Sequence, residues 1–112
     1  MTNTEAIKTL NDNFRRNLFQ YKPHNHLMLT AYVSALSHDY LMALLTQVRD
    51  FEDFNESNDP YGEHDFGKIN FRGESYFFKI DYYDENMEFH AEDPANENTT
   101  ERVLTIMHVD EY

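Results

Sequence analysis

No cysteine occurs in the 112 residues. That absence excludes a disulfide framework, thiolate metal ligation and thiol nucleophiles. Tryptophan is also missing, and glycine and proline occur three times each. So few glycines leave no phosphate-cradling loop, and neither a G-x-S-x-G nor an H-E-x-x-H pattern is found. No run approaches the roughly 18 consecutive apolar residues of a membrane helix. The opening Thr2-Asn3-Thr4-Glu5 is polar, unlike a secretory leader. The expectation is a soluble, cytoplasmic protein without a membrane partner.

Bases are scarce too: 9 Lys and Arg against 21 Asp and Glu, a net charge of −12. The imbalance is local. Residues 1–49 carry three acids and five bases, a net of +2, and residues 50–112 eighteen acids and four bases, a net of −14. Such a field repels nucleic acid and attracts basic surfaces. What the chain has in quantity is aromatic area, 8 Tyr and 9 Phe. At this length one domain spanning 1–112 is expected, with enough buried surface for one core.

Thr2 and Glu5 have the spacing of a capping box. Ile7, Leu10, Phe14 and Leu18 then recur at helical steps, with Lys8, Asp12, Arg15 and Arg16 placed mostly off that face, so a helix is predicted over 3–19. Lys22-Pro23 closes it. Residues 26–33 alternate as a half-buried strand. Ser37 caps a second helix over 38–54, striped by Leu41, Leu44, Leu45, Val48 and Phe51. Asp50, Glu52 and Asp53 near its end oppose the helix dipole, so either another group compensates or these carboxylates serve another purpose. Strands follow at 68–71, 76–83, 87–90 and 102–109, the first two joined by Arg72-Gly73-Glu74. The order α-β-α-β-β-β-β implies an α+β domain: a mostly antiparallel sheet of four to five strands with two helices packed on one face. Along 78–83, Phe78, Ile80 and Tyr82 belong to the core, and Lys79, Asp81 and Tyr83 to an outer face rich in Tyr and charge.

Asn58-Asp59-Pro60-Tyr61-Gly62-Glu63-His64-Asp65-Phe66-Gly67 is first a turn, started by Asp-Pro and closed by glycine. Within it, carboxylates on either side of His64 favour its imidazolium form. Glu63, His64 and Asp65, if joined by Lys79 and Asp81, form a general acid–base set, but neighbouring side chains on an extended chain diverge unless the loop kinks. The other reading is a loop staple in which His64 or Asp65 satisfies backbone groups. Residues 53–64 resemble a calcium loop in their alternating oxygens and depart from it at Asn58 and His64, where glycine and glutamate belong. His24 and His26 share a strand face, which with His64 or His90 makes a zinc site conceivable but weakly signalled. No metal or other cofactor is expected.

The quoted decapeptide, together with Asn11-Asp12, Val48-Arg49-Asp50-Phe51, Phe54, Lys79-Ile80-Asp81-Tyr82-Tyr83-Asp84, Asp93-Pro94, Arg102-Val103-Leu104-Thr105-Ile106-Met107 and Glu111-Tyr112, resembles a family of small bacterial domains of unknown function. That resemblance covers nearly the whole chain and implies a proteobacterial setting on plasmids and other mobile elements, but no activity. Where many family members read Thr-x-Gly-Val, this chain has Thr30-Ala31-Tyr32-Val33, which makes Tyr32 a packing residue.

Three expectations follow. One is an acidic, non-catalytic binding protein, an inhibitor or modulator of a nucleic-acid-handling, host-defence type of partner, meeting its basic groove as a charge mimic of DNA. Its surface would be Asp50, Glu52, Asp53, Glu56, Asp59, Tyr61, Glu63, Asp65, Asp81, Asp84, Glu85 and Glu88. Another is a small enzyme using Glu63, His64, Asp65, Lys79 and Asp81. The last is a structural accessory domain with an exposed apolar patch.

Overall fold

A computed structural model describes residues 2–112. The elements run α1 (Asn3–Arg16), β1 (Asn25–Leu29), α2 (Ala31–Ser34), α3 (His38–Arg49), β2 (Phe66–Phe71), β3 (Glu74–Tyr83), β4 (Glu101–His108) and a closing 3-10 turn, Val109–Glu111. The expected capping box is formed: the Glu5 amide donates to Thr2 Oγ1 at 3.1 Å, and the Thr2 amide to Glu5 Oε2 at 3.4 Å.

The four strands lie in the order β1-β4-β3-β2. β2–β3 and β3–β4 are antiparallel, and β1 joins β4 in parallel. The sheet is therefore mixed, with antiparallel pairs in the majority. Ile7 and Phe14 from α1, Leu18 just beyond its end, Val33 from α2 and Leu44, Leu45 and Val48 from α3 share one core with Phe78, Ile80, Leu104 and Ile106. The helices thus cover one face. On the other face Phe77 lies opposite Met107, and Lys79 opposite Thr105. That face is more apolar than its expected Tyr-and-charge character, and Tyr112 packs its ring 5.3 Å from Phe77.

Four expectations about the elements need correction, two for local reasons and two for tertiary ones. α1 stops at Arg16 rather than 19, because the Asn17 side chain takes the Asn13 carbonyl at 2.8 Å. The strand expected over 26–33 ends at Leu29. Thr30 hydroxyl and the Tyr32 amide donate to the Glu111 carboxylate at 2.6 and 3.1 Å, and this distant acid caps the short α2 instead. α3 ends at Arg49 rather than 54. Arg15 Nη1 donates to the carbonyls of Arg49 at 2.8 Å and Val48 at 3.4 Å, placing a cation on the helix C-terminus. This is one of the two outcomes expected from the acids at 50–53, a compensating group at the helix end. The expected strand at 87–90 reduces to one bridge, Tyr83 to His90. Asp84 Oδ1 accepts the amides of Asn86 and Glu88 and holds the segment as a turn.

Gly67 shows how closely β2 sits on the core. A Cβ there would lie 2.4 Å from Phe78 Cε2 and 2.8 Å from Phe51 Cε1. Gly67→Ala is expected to cost about 1–3 kcal/mol through overpacking. Urea unfolding should show a lower midpoint with an unchanged slope.

Candidate functional site

Two polar clusters form around the loop between α3 and β2, one turned inward and one outward. Asn11, Asp12 and Arg15 are buried on α1, although Asp12 and Arg15 were expected mostly off its apolar face. Asn11 is fully buried. Its Nδ2 donates to Tyr82 Oη at 2.7 Å and to the Glu63 carbonyl at 3.0 Å, while its Oδ1 accepts from Arg102 Nε at 3.0 Å. Tyr82 in turn donates to Glu63 Oε1 at 2.7 Å. Burial, then this bond to a carboxylate, pushes the Tyr82 hydroxyl up, so it remains a donor at any physiological pH.

Beside it, Asp12 Oδ1 sits 2.8 Å from His64 Nδ1 and accepts from Arg15 Nη2 at 3.0 Å. His64 stacks flat on Phe54, centroids 3.9 Å apart, and its amide donates to Asp59 Oδ1 at 3.0 Å. Its φ of +57° is left-handed, the kink that lets the loop turn one side chain inward. His64 is therefore the inward staple of the loop, fixed by Asp12, Asp59 and Phe54.

Because His64 turns in, Glu63 and Asp65 turn out. They line a cleft of about 410 Å³ beside β3 with Asp81, Tyr82, Glu88 and Phe89. The cleft lies just ahead of β2 and beside the return loop, residues 84–100 between β3 and β4: the Ile80 amide donates to the Asp65 carbonyl at 2.8 Å, and the Ala91 amide to the Tyr82 carbonyl at 3.2 Å. Among the described residues, no lysine or arginine pairs with Glu63, Asp65 or Glu88 within 4.0 Å; Asp81 pairs with Lys79 at 3.0 Å. Burial raises the Asp65 carboxyl to about 6, and the charges of Glu63, Asp59 and Asp81 push the same way. Phe89, 70% exposed, stands at the rim. A second groove, of about 470 Å³, borders the same return loop with Asp84, Glu85, Glu92 and Asp93.

Of the residues singled out for catalysis, Glu63, Asp65 and Asp81 share the cleft. His64 points away from it, and Lys79 belongs with Thr30, Thr105 and Tyr112 on the open sheet face. Of the residues singled out for binding, Glu63, Asp65, Asp81 and Glu88 meet in this cleft, and Asp84 and Glu85 in the neighbouring groove. Glu52, Asp53, Glu56 and Tyr61 are exposed. Asp50 is exposed but paired with Arg49 at 2.8 Å, and Asp59 is buried with its carboxylate turned to His64. In the calcium-like segment, Asn55 Oδ1 accepts the amides of Ser57 and Asn58, so its oxygens build the turn. His24 and His26 both approach Glu101, at 2.8 and 3.8 Å.

Asn11 and Arg102 were missed as site-building residues, although both carried a signal. Asn11 falls on the helical spacing of Ile7, Phe14 and Leu18, and Arg102 has the strand parity of Leu104 and Ile106. A polar residue on an apolar face points to a buried partner.

Fold and clefts define a small α+β domain with an acidic groove along one edge of its central hairpin. Residues 29–111 match the family model described as "Protein of unknown function (DUF3768)", and the chain belongs to that family. No curated protein and no solved structure matches it. No helix among the described residues is long and apolar enough to cross a membrane.

The raised Asp65 carboxyl has a consequence for stability. The fold favours its protonated form, so the benefit is complete below pH 4 and lost as pH rises through about 6. Asp65→Asn is expected to stabilise the protein by roughly 1–2 kcal/mol at pH 7.5, after discounting for solvent screening, and by nothing at pH 4. Thermal unfolding at the two pH values measures the difference.

Proposed function

We propose that this is a non-catalytic binding protein whose acidic cleft receives lysine or arginine side chains from a basic partner. The observation that carries the reading is Asp65. Its carboxylate sits in a cleft with Glu63 and Glu88, has no base of its own, and is held at a cost to the fold. Uncompensated charge that weakens a fold marks a site kept for something outside it. A guanidinium or ammonium seated there would gain charge-assisted hydrogen bonds and relieve the repulsion among these acids. Tyr82, Tyr83 and Phe89 supply aromatic surface for the stem of such a side chain and, where a ring face is presented, for its charge. The neighbouring groove at Asp84, Glu85, Glu92 and Asp93 extends the same charge past the return loop. Proteins that hold nucleic acid present rows of such cations, and inhibition of a host-defence protein of that type, from a mobile element, is the particular form we favour. In that form the acidic surface stands in for the charge of DNA, and the protein works in the cytoplasm.

A second reading, a small enzyme, draws on the same Asp65, since a carboxyl near 6 in a cleft suits a general acid. It would use Glu63, Asp65 and Asp81 with His90, which also lines the cleft, in place of His64 and Lys79.

The binding reading is tested with a fluorescent peptide rich in lysine and arginine. Its affinity is expected to fall at least tenfold between about 50 and about 500 mM salt. Asp65→Asn is expected to weaken binding about five-fold at low salt while making the protein more stable, so lost binding cannot be blamed on unfolding. Affinity indifferent to both salt and Asp65→Asn would overturn the reading.

A further inference from the structure

The buried cation of this acidic protein is as unusual as its acidic cleft. Arg102 is 2% exposed, yet its donors reach only neutral oxygens: Nε reaches Asn11 Oδ1 at 3.0 Å, and Nη2 the Pro94 carbonyl. Its guanidinium carbon also lies 5.3 Å from the Tyr82 ring centre. Among the described residues no carboxylate pairs with it within 4.0 Å, and Nη1 makes no hydrogen bond; Glu97 and Glu63 act on it only through space. Burial lowers the Arg102 pKa, as it does that of Arg15. Arg15, the other buried arginine, has the opposite arrangement, with Asp12 against it at 3.0 Å.

Arg102 lines a cavity of about 330 Å³ at the entry to β1. Lys22, His24, Asn25, Asn98 and Glu97 line it as well. His24 holds a left-handed backbone, φ +72°, and its carbonyl accepts the Arg102 amide at 2.8 Å, which ties this wall to β4. Lys22 and Glu97 form an exposed pair across the rim at 3.1 Å. Exposed pairs of this kind are weak and exchange readily for a better partner.

We infer that this cavity is a binding site for a small-molecule oxyanion, a carboxylate or phosphate group, held by Arg102 and Lys22 with the side-chain amides of Asn25 and Asn98 at its sides. A planar guanidinium with a free terminal nitrogen and a mobile ammonium beside it suits such a group. Glu97 then competes with the ligand for Lys22. The inference is independent of the proposed function, since it concerns another cavity and the opposite charge.

Titration of the ¹⁵N-labelled full chain with inorganic phosphate and, separately, with succinate tests it, at fixed pH and at ionic strength balanced with sodium chloride. Saturable shifts confined to 22–25, 97–98 and 102 are expected, and the anion that saturates names the chemical class. Lys22→Met should weaken binding about five-fold, the loss of one charge-assisted contact, and Glu97→Gln should tighten it. Both positions are exposed, so both variants should keep the dispersed spectrum of the folded protein. Lys68→Met, on an exposed strand position, should change nothing. The inference is overturned if neither anion saturates, if the shifts spread equally over all basic residues, or if the Lys22 and Glu97 variants bind like the parent.

Discussion

Buried polar groups must find partners, and in this protein that requirement organises the fold. Asn11 puts an amide with both donor and acceptor ends into a fully buried position on α1. Around it close Arg102 from β4, Tyr82 from β3 and the Glu63 carbonyl from the long loop. One residue later, Asp12 gathers His64 from the same loop and Arg15, whose other nitrogen caps α3. Two adjacent side chains on one helix therefore fix the sheet, the loop and the end of another helix. Without them nothing would set which of Glu63, His64 and Asp65 faces in, and the acidic cleft would have no fixed wall.

The local layers of structure were legible in the sequence because they depend on neighbours in the chain. The Thr2–Glu5 capping box, the α3 stripe from Leu41 to Val48 and the alternation of Phe78, Ile80 and Tyr82 all follow from short-range spacing. Two of the misses depended on residues far apart. Glu111 turns the residues after Thr30 into a helix from 81 positions away. Arg15 ends α3 from 34 positions away. No period in a local window carries such information, which is why element ends failed while element types mostly held.

The site divided along the same line. Carboxylates were noticed at 63 and 65, but the sequence does not say that His64 kinks and leaves them as a pair. Nor does charge counting separate Asp59, spent inside on His64, or Asp50, spent on Arg49, from Asp65, which has no base. The −14 of the second half is thus partly internal bookkeeping. Among the described residues, acids of that half without a basic partner remain in two places, at Glu52, Asp53 and Glu56 before β2, and along β3 and the loop that follows it. α1, which supplies Asn11 and Asp12, lies outside the residues matched by the family model. A polar residue on a helical stripe was the readable clue there.

The account stands on the cooperativity of the Asn11 network, and a double-mutant cycle between Asn11→Ala and Tyr82→Phe, followed by urea unfolding, reaches it most directly. If the two side chains act as one buried unit, the second substitution should cost far less once the first is made, with a coupling of about 1 kcal/mol or more. Costs that add to within about 0.3 kcal/mol would mean that the two groups are satisfied separately, and that the fold does not hang on their contact.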